Sequence, residues 1–219
     1  EVNPSGQTLA FEGRVHLYGS GANILRAVCQ SLFGTPEIDR CEVRDWSSLN
    51  APVEDGVVKI ACVQNPLARL VIDLGEAIEE KFADCSPLAE IHDQVRGFLS
   101  DQEDLNVYVY NFAGISEDDD GGGPDIRPVE PPYDAVVQAF DGIVVGELIS
   151  ISMVRIAEEL GFKRLFPVDC PPFFAEEEPF SLFSLSPSEL EKALGKMRDD
   201  AALYEFLAAR LKEHSLTSR

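Results

Sequence analysis

The chain has 219 residues, enough to bury roughly 70% of its unfolded surface, so folding needs neither disulfides nor a metal. Its 39 acidic residues outnumber 18 basic ones, for a formal net charge of −21. That excludes a phosphate-tracking nucleic-acid binder and a protein docked on an anionic membrane, both of which need clustered Lys and Arg. It favours a basic protein partner, or solubility through self-repulsion.

Residues 1–13 are polar and read as a flexible N-terminus. RVHLYGSG (14–21) reads as a strand entering a Gly turn. Ala22 to Phe33 follows with apolar residues at 24, 25, 28, 29, 32 and 33, a helical spacing, and Gly34 is a natural stop. DRCEVRDW (39–46) is a second strand, and 47–56 is a polar loop carrying Pro52. VVKIACV (57–63) is a continuous β-rich run, as in a strand buried on both faces. Pro66 opens a helix to about Phe82, with its stripe at 67, 70, 71, 74, 78 and 82. Ser86-Pro87 starts another, to about Ser100. LNVYVYNF (105–112) reads as a strand, and EDDDGGGPD (117–125) as a flexible acidic loop. Residues 133–160 read as two helices broken near Asp141-Gly142. KRLFPVD (163–169) is a short strand, and 171–179 is a loop rich in Pro and Glu. Ser186 to about His214 is helical, with a capping box of Ser186, Pro187 and Glu189.

The five cysteines, at 29, 41, 62, 85 and 170, form no CxxC, and four lie in apolar runs. They read as reduced, buried thiols of a cytoplasmic protein. The chain opens on Glu1 rather than Met, which suggests processing, with no cationic-then-apolar leader in view. The longest apolar candidate, Gly142 to Ala157, is interrupted by Glu147 and Arg155, so no membrane span is expected.

Strands alternating with helices predict one α/β domain over 14–215: a doubly wound, mostly parallel sheet with helices on both faces. Ligands of such sheets bind at the carboxyl ends of strands, near a switch in strand order. Gly19–Gly21, Trp46, Gln64-Asn65, the 111–125 loop and Asp169-Cys170 fall there. Gly19-Ser-Gly21 could face a phosphate, but Ile24 stands where GxGxxG needs its third glycine, so a tight structural turn is favoured. Asp45 could meet a ribose, or Arg44 a 2′-phosphate; a solvated pair fits equally. No metal site is expected. Counted from Asp118, the acidic loop places Gly123 sixth but Val129 twelfth, which breaks the calcium-loop pattern. His16, His92 and His214 are scattered and form no zinc motif. Tyr108 and Tyr110 read as core.

LNVYVYNFAGIS (105–116) resembles the LDVLVNNAGIS strand of the short-chain dehydrogenase/reductase family, with one extra residue. Asn111, Ala113, Gly114 and Ile115 carry the match. Over about residues 14–213, other segments resemble the family's order of elements. Tyr18 to Leu25 stands at its TGxxxGIG turn, and Ala83-Asp84 resembles its adenine-contacting Asp. Residues 133–160 look like its dimer-forming helix, followed by the strand of its catalytic Ser. The resemblance implies a Rossmann-like fold, an NAD(P) site at Gly19, Gly21, Asp45, Asp84, Asn111 and Gly114, and a homodimer or related-subunit contact through 133–160. The departures are substantial. Asn23 and Leu25 replace two turn glycines. No Tyr has Lys four residues later. FSLSPSEL (183–190) carries Phe183 and Pro187 where the family has Tyr and Lys; the alternative register KMRDDAAL offers Lys196 and Asp200. Asp169 or Cys170 stands at the catalytic Ser. The chemistry requires a phenol acidified by a nearby ammonium, which Phe cannot supply. The expectation is a non-catalytic binding, scaffold or regulatory subunit. The alternative is an NAD(P)-dependent oxidoreductase using Asn111, Asp169 and Lys196.

Overall fold

The computed structural model describes residues 13–19, 22–34, 40–52, 54–72, 74, 88–114, 127–162, 165–166 and 186–217. Among these residues the sheet holds four parallel strands, β1 (Arg14–Tyr18), β2 (Cys41–Arg44), β3 (Val57–Val63) and β4 (Gly142–Val145), in the order β2-β1-β3-β4. The helices are α1 (Ala22–Phe33), α2 (66–72 and 74), α3 (Leu88–Asp101), α4 (Tyr108–Asn111), α5 (Asp134–Gln138), α6 (Ile149–Leu160), α7 (Pro187–Lys196) and α8 (Arg198–Thr217). Short 3₁₀ turns span Trp46–Ser48 and Gly146–Leu148. This is the expected doubly wound, Rossmann-like α/β fold.

Side chains alternate across the strands, so β1, β3 and β4 each feed two cores. Val15, Leu17, Ile60, Cys62 and Val144 face α1 and α6, meeting Ile24, Val28, Leu32, Met153 and Ile156. Tyr18, Ala61, Val63 and Val145 face the other layer, with Tyr108, Phe140, Leu203, Leu207 and Leu211. A third cluster joins α2, α3 and the α7–α8 corner through Leu70, Val71, Leu99, Ala193 and Met197. The chain leaves β1 towards β2 and leaves β3 towards β4, in opposite directions. The switch in strand order therefore lies between β1 and β3.

Two expected elements change type. Residues 105–112 hold no strand; Tyr108–Asn111 form one helical turn. The cause is Asp200, whose carboxylate accepts from the amides of Val107 (2.7 Å), Tyr108 (3.0 Å) and Val109 (2.9 Å). Three consecutive N–H groups can converge on one carboxylate in a helical first turn, whereas in a strand they point to alternate sides. Gly142–Val145, expected within helix, is instead β4, paired with β3 from Ile60↔Gly142 to Val63↔Val145. It runs through a single 3₁₀ turn into apolar α6, so periodicity alone could not separate strand from helix. The apolar residues of 133–160 accordingly serve the chain's own sheet: Val144, Val145, Ile149, Met153 and Ile156 are buried, while Ile151 and Val154 stay exposed. Of the expected strand at 163–169, Leu165 and Phe166 are described and lie outside the sheet; Phe166 N donates to the carbonyl of Ser31 at 2.8 Å.

The cysteines also require a correction. Cys29 of α1 and Cys41 of β2 are joined as a disulfide, with Cα atoms 6.4 Å apart, rather than reduced. Folding brings them together across the α1–β2 connection, which spacing alone did not reveal. Cys62 remains a free thiol, and full burial pushes its pKa up to about 12. Cys85 and Cys170 lie outside the described residues. Among the described residues no helix is long and apolar enough to cross a membrane, and no group of three His, Cys, Asp or Glu could hold a metal.

The capping box at α7 is present as read. Ser186 Oγ accepts from Glu189 N, and the Glu189 carboxylate accepts from Ser186 N at 2.7 Å and from Arg96 Nε at 2.7 Å. The bonds from Ser186, then Arg96, hold the Glu189 pKa down to about 2. A depressed carboxylate pKa stabilises the fold above the unfolded pKa, and this contribution fades as pH falls from about 4.5 through 2. Glu189→Ala should therefore cost about 1 kcal/mol at pH 7, the usual worth of a cap. In urea unfolding series at pH 7 and pH 2.5 the gap to the parent should narrow at the lower pH; a gap independent of pH would contradict this assignment.

Candidate functional site at the carboxyl edge of the sheet

All four strands release their chains at one edge. Gly19 follows β1, Asp45 and Trp46 follow β2, Gln64 and Asn65 follow β3, and Gly146 and Glu147 follow β4. The register sets Val63 beside Val145, so Asn65 and Glu147 leave the sheet as neighbours. Asn65 N donates to Glu147 Oε1 at 2.8 Å, and Tyr204 Oη of α8 donates to Glu147 Oε2 at 2.9 Å. Asn65 Oδ1 accepts from Leu67 N at 2.9 Å, capping α2. Tyr108 Oη of α4 accepts from Gln64 N at 2.9 Å. Trp46 anchors the β2 exit in an aromatic cluster, its ring 5.0 Å from Phe112, 5.8 Å from Tyr18 and 6.2 Å from Phe140.

Two buried side-chain polar atoms, Arg44 Nε and Gln64 Oε1, stand outside this network among the described residues. Gln64 is 4% exposed, and its side-chain oxygen Oε1 meets no donor among the described residues. A buried acceptor without a partner carries the full cost of its lost hydration, about 1–3 kcal/mol.

The expected site residues divide into three groups. Gly19, Asp45, Asn111 and Gly114 do gather at this edge, each with a structural task. A Cβ at Gly19 would lie 2.6 Å from the backbone oxygen of Cys62, so glycine is required by the close passage of the chain against β3. Asp45 is exposed and caps the 3₁₀ turn, accepting from Ser47 N at 2.7 Å. Asn111 is buried in α4, and its carbonyl accepts from Gly114 N at 2.9 Å. Gly114 adopts φ +81°, which favours glycine, and a Cβ there would lie 2.9 Å from Asn50 Nδ2. Lys196 lies elsewhere, its ammonium donating to the carbonyls of Leu99 and Gln102 at the end of α3. Gly21, Asp84 and Asp169 lie outside the described residues.

Sequence reading missed Glu147, Tyr204 and Arg69, and met Asp200 only in the alternative catalytic register. Glu147 was visible only as a charge interrupting an apolar run; a carboxylate directly after a buried strand is the signal that could have marked it. Tyr108 is core as expected, and also a hydrogen-bond partner. Tyr204 is held well above the usual phenol pKa by burial, then by its bond to Glu147 and that group's charge. An acidified phenol of the reductase kind requires the opposite environment.

No family model, curated protein or solved structure matches the chain.

Proposed function

We propose that this chain is a Rossmann-like binding domain, a scaffold or regulatory subunit that holds a ligand or partner at the carboxyl edge of its sheet without reductase chemistry of its own. The observation that carries this reading is Gln64. The acid–base groups around it are committed: Glu147 to Asn65 and Tyr204, and Tyr108 to the Gln64 backbone. Gln64 Oε1 is an amide oxygen, which can accept a hydrogen bond from a bound hydroxyl or amine but cannot carry a proton through a reaction. The structural explanations of Gly19 and Gly114 remove the need for a pyrophosphate to account for them. The −21 charge supports a ligand or partner that is basic or rich in donors.

The test is thermal unfolding with NADH or NADPH at millimolar concentration. The proposal expects no rise in Tm. A ligand at 100 times its Kd stabilises by about 2.7 kcal/mol, so a rise of that order with either cofactor would replace the proposal with the oxidoreductase alternative. Native mass measured before and after denaturation should reveal any co-purified small molecule and the oligomeric state. Gln64→Met supplies a second prediction. Removing an unpartnered acceptor while keeping its volume should stabilise the ligand-free protein by about 1–2 kcal/mol, read from the urea midpoint. A loss of stability would mean that Oε1 has a partner in the free protein.

A further inference from the structure

We propose that the Cys29–Cys41 disulfide is a redox-operated clamp that holds the edge strand β2, and with it the Trp46 anchor, against the body of the sheet. Among the described residues β2 has four residues and a neighbour on one side, β1. Its central residues Glu42 and Val43 are exposed, Val43 by 57%, so the strand itself buries little apolar surface. The ladder to β1 holds its backbone, and further ties fix its ends. At the start, Val15 N donates to Arg40 O at 2.7 Å, and Cys41 is bonded to Cys29, which is buried in the α1 face of the core. At the far end the chain passes through Asp45 into the buried Trp46. Opening the disulfide removes the covalent tie and leaves the ladder to β1 and the Trp46 anchor. The clamp stands on this geometry alone and needs nothing from the binding reading.

The chemistry is thiol–disulfide exchange. The thiolate of a dithiol reductant attacks Sγ of Cys41, the more exposed of the pair. The S–S bond breaks, and Cys29 leaves as a thiolate and takes a proton. The reductant's second thiolate then closes on the mixed disulfide and releases the Cys41 thiol. The protein gains two electrons and two protons, and the reductant becomes a cyclic disulfide.

The experiment uses the full wild-type chain with and without dithiothreitol. Non-reducing peptide mapping should find Cys29 linked to Cys41. Closing a loop of this length predicts that reduction lowers Tm by about 6–12 °C. Emission from Trp46, the sole tryptophan, should shift to the red as its ring gains water. Cys29→Ser/Cys41→Ser should start at the lower Tm and ignore the reductant; if it does not fold, the wild-type comparison still decides. Free thiols at 29 and 41 without reductant, pairing of either with another cysteine, or a Tm and emission that reduction leaves unchanged would each overturn the proposal.

Discussion

Arg69→Met should destabilise the protein by about 3–5 kcal/mol, a large share of the 5–15 kcal/mol that holds an ordinary domain together. Arg69 and Asp200 are an ion pair with side chains 3% and 0% exposed, their atoms 2.8 Å apart. The guanidinium also donates to Leu105 O at 2.8 Å and lies over the Tyr108 ring, 5.0 Å from its centre. Asp200 in turn gathers the three amides that begin α4, while Asn106 Oδ1 accepts from Asp200 N at 2.9 Å and from Asp199 N at 3.1 Å. One pair therefore ties α2, α4 and α8 together. Methionine fills much of the space but leaves a buried carboxylate without its counter-charge, and that residual charge is the main cost. The same logic makes the effects non-additive. Arg69→Met/Asp200→Asn should cost less than the sum of the single changes, because no unpaired charge remains. Urea midpoints of the four proteins measure the coupling. A single Arg69→Met loss under 1 kcal/mol would show that the pair does not organise this corner.

Gly19→Ala should cost about 2–3 kcal/mol in the ligand-free protein. The new methyl would meet the Cys62 backbone oxygen at 2.6 Å and its Cβ at 2.9 Å. Backbone at the centre of a sheet cannot step aside as the end of a flexible side chain can, so the clash falls on the β1–β3 ladder. The comparison is instructive because a glycine kept for a bound phosphate would give another result: stability unchanged without ligand, and affinity lost. Thermal unfolding of the variant without added ligand separates the two. An unchanged Tm would return Gly19 to the list of ligand contacts.

These two positions mark where sequence reading stopped. Gly19 was read as either a tight turn or a phosphate cradle, and the approach of β3, residues distant in the chain, supplies a structural reason for the glycine that adjacent residues did not show. Asp200 was seen only as a substitute in a shifted catalytic register. It in fact turns 107–109 into a helical start, against the β-rich composition of that stretch. The segment that carried the family resemblance thus reaches the expected edge of the sheet with a different backbone. Local signals fared better where the physics was local. The α1 stripe, the buried run of β3 and the Ser186–Glu189 box depend on neighbours within a few residues, and all formed as read.

By itself the sequence determined the alternation of strands and helices, the parallel sheet that follows from it, and the edge where strands end, because periodicity and caps are written in adjacent residues. Tertiary structure alone decided the rest: the helical turn at Tyr108, the strand at Gly142, the sulfur pairing of Cys29 with Cys41, and the Gln64 oxygen that meets no donor among the described residues. Each depends on a partner at least a dozen residues away, or on its absence, and only folding brings such partners within bonding distance.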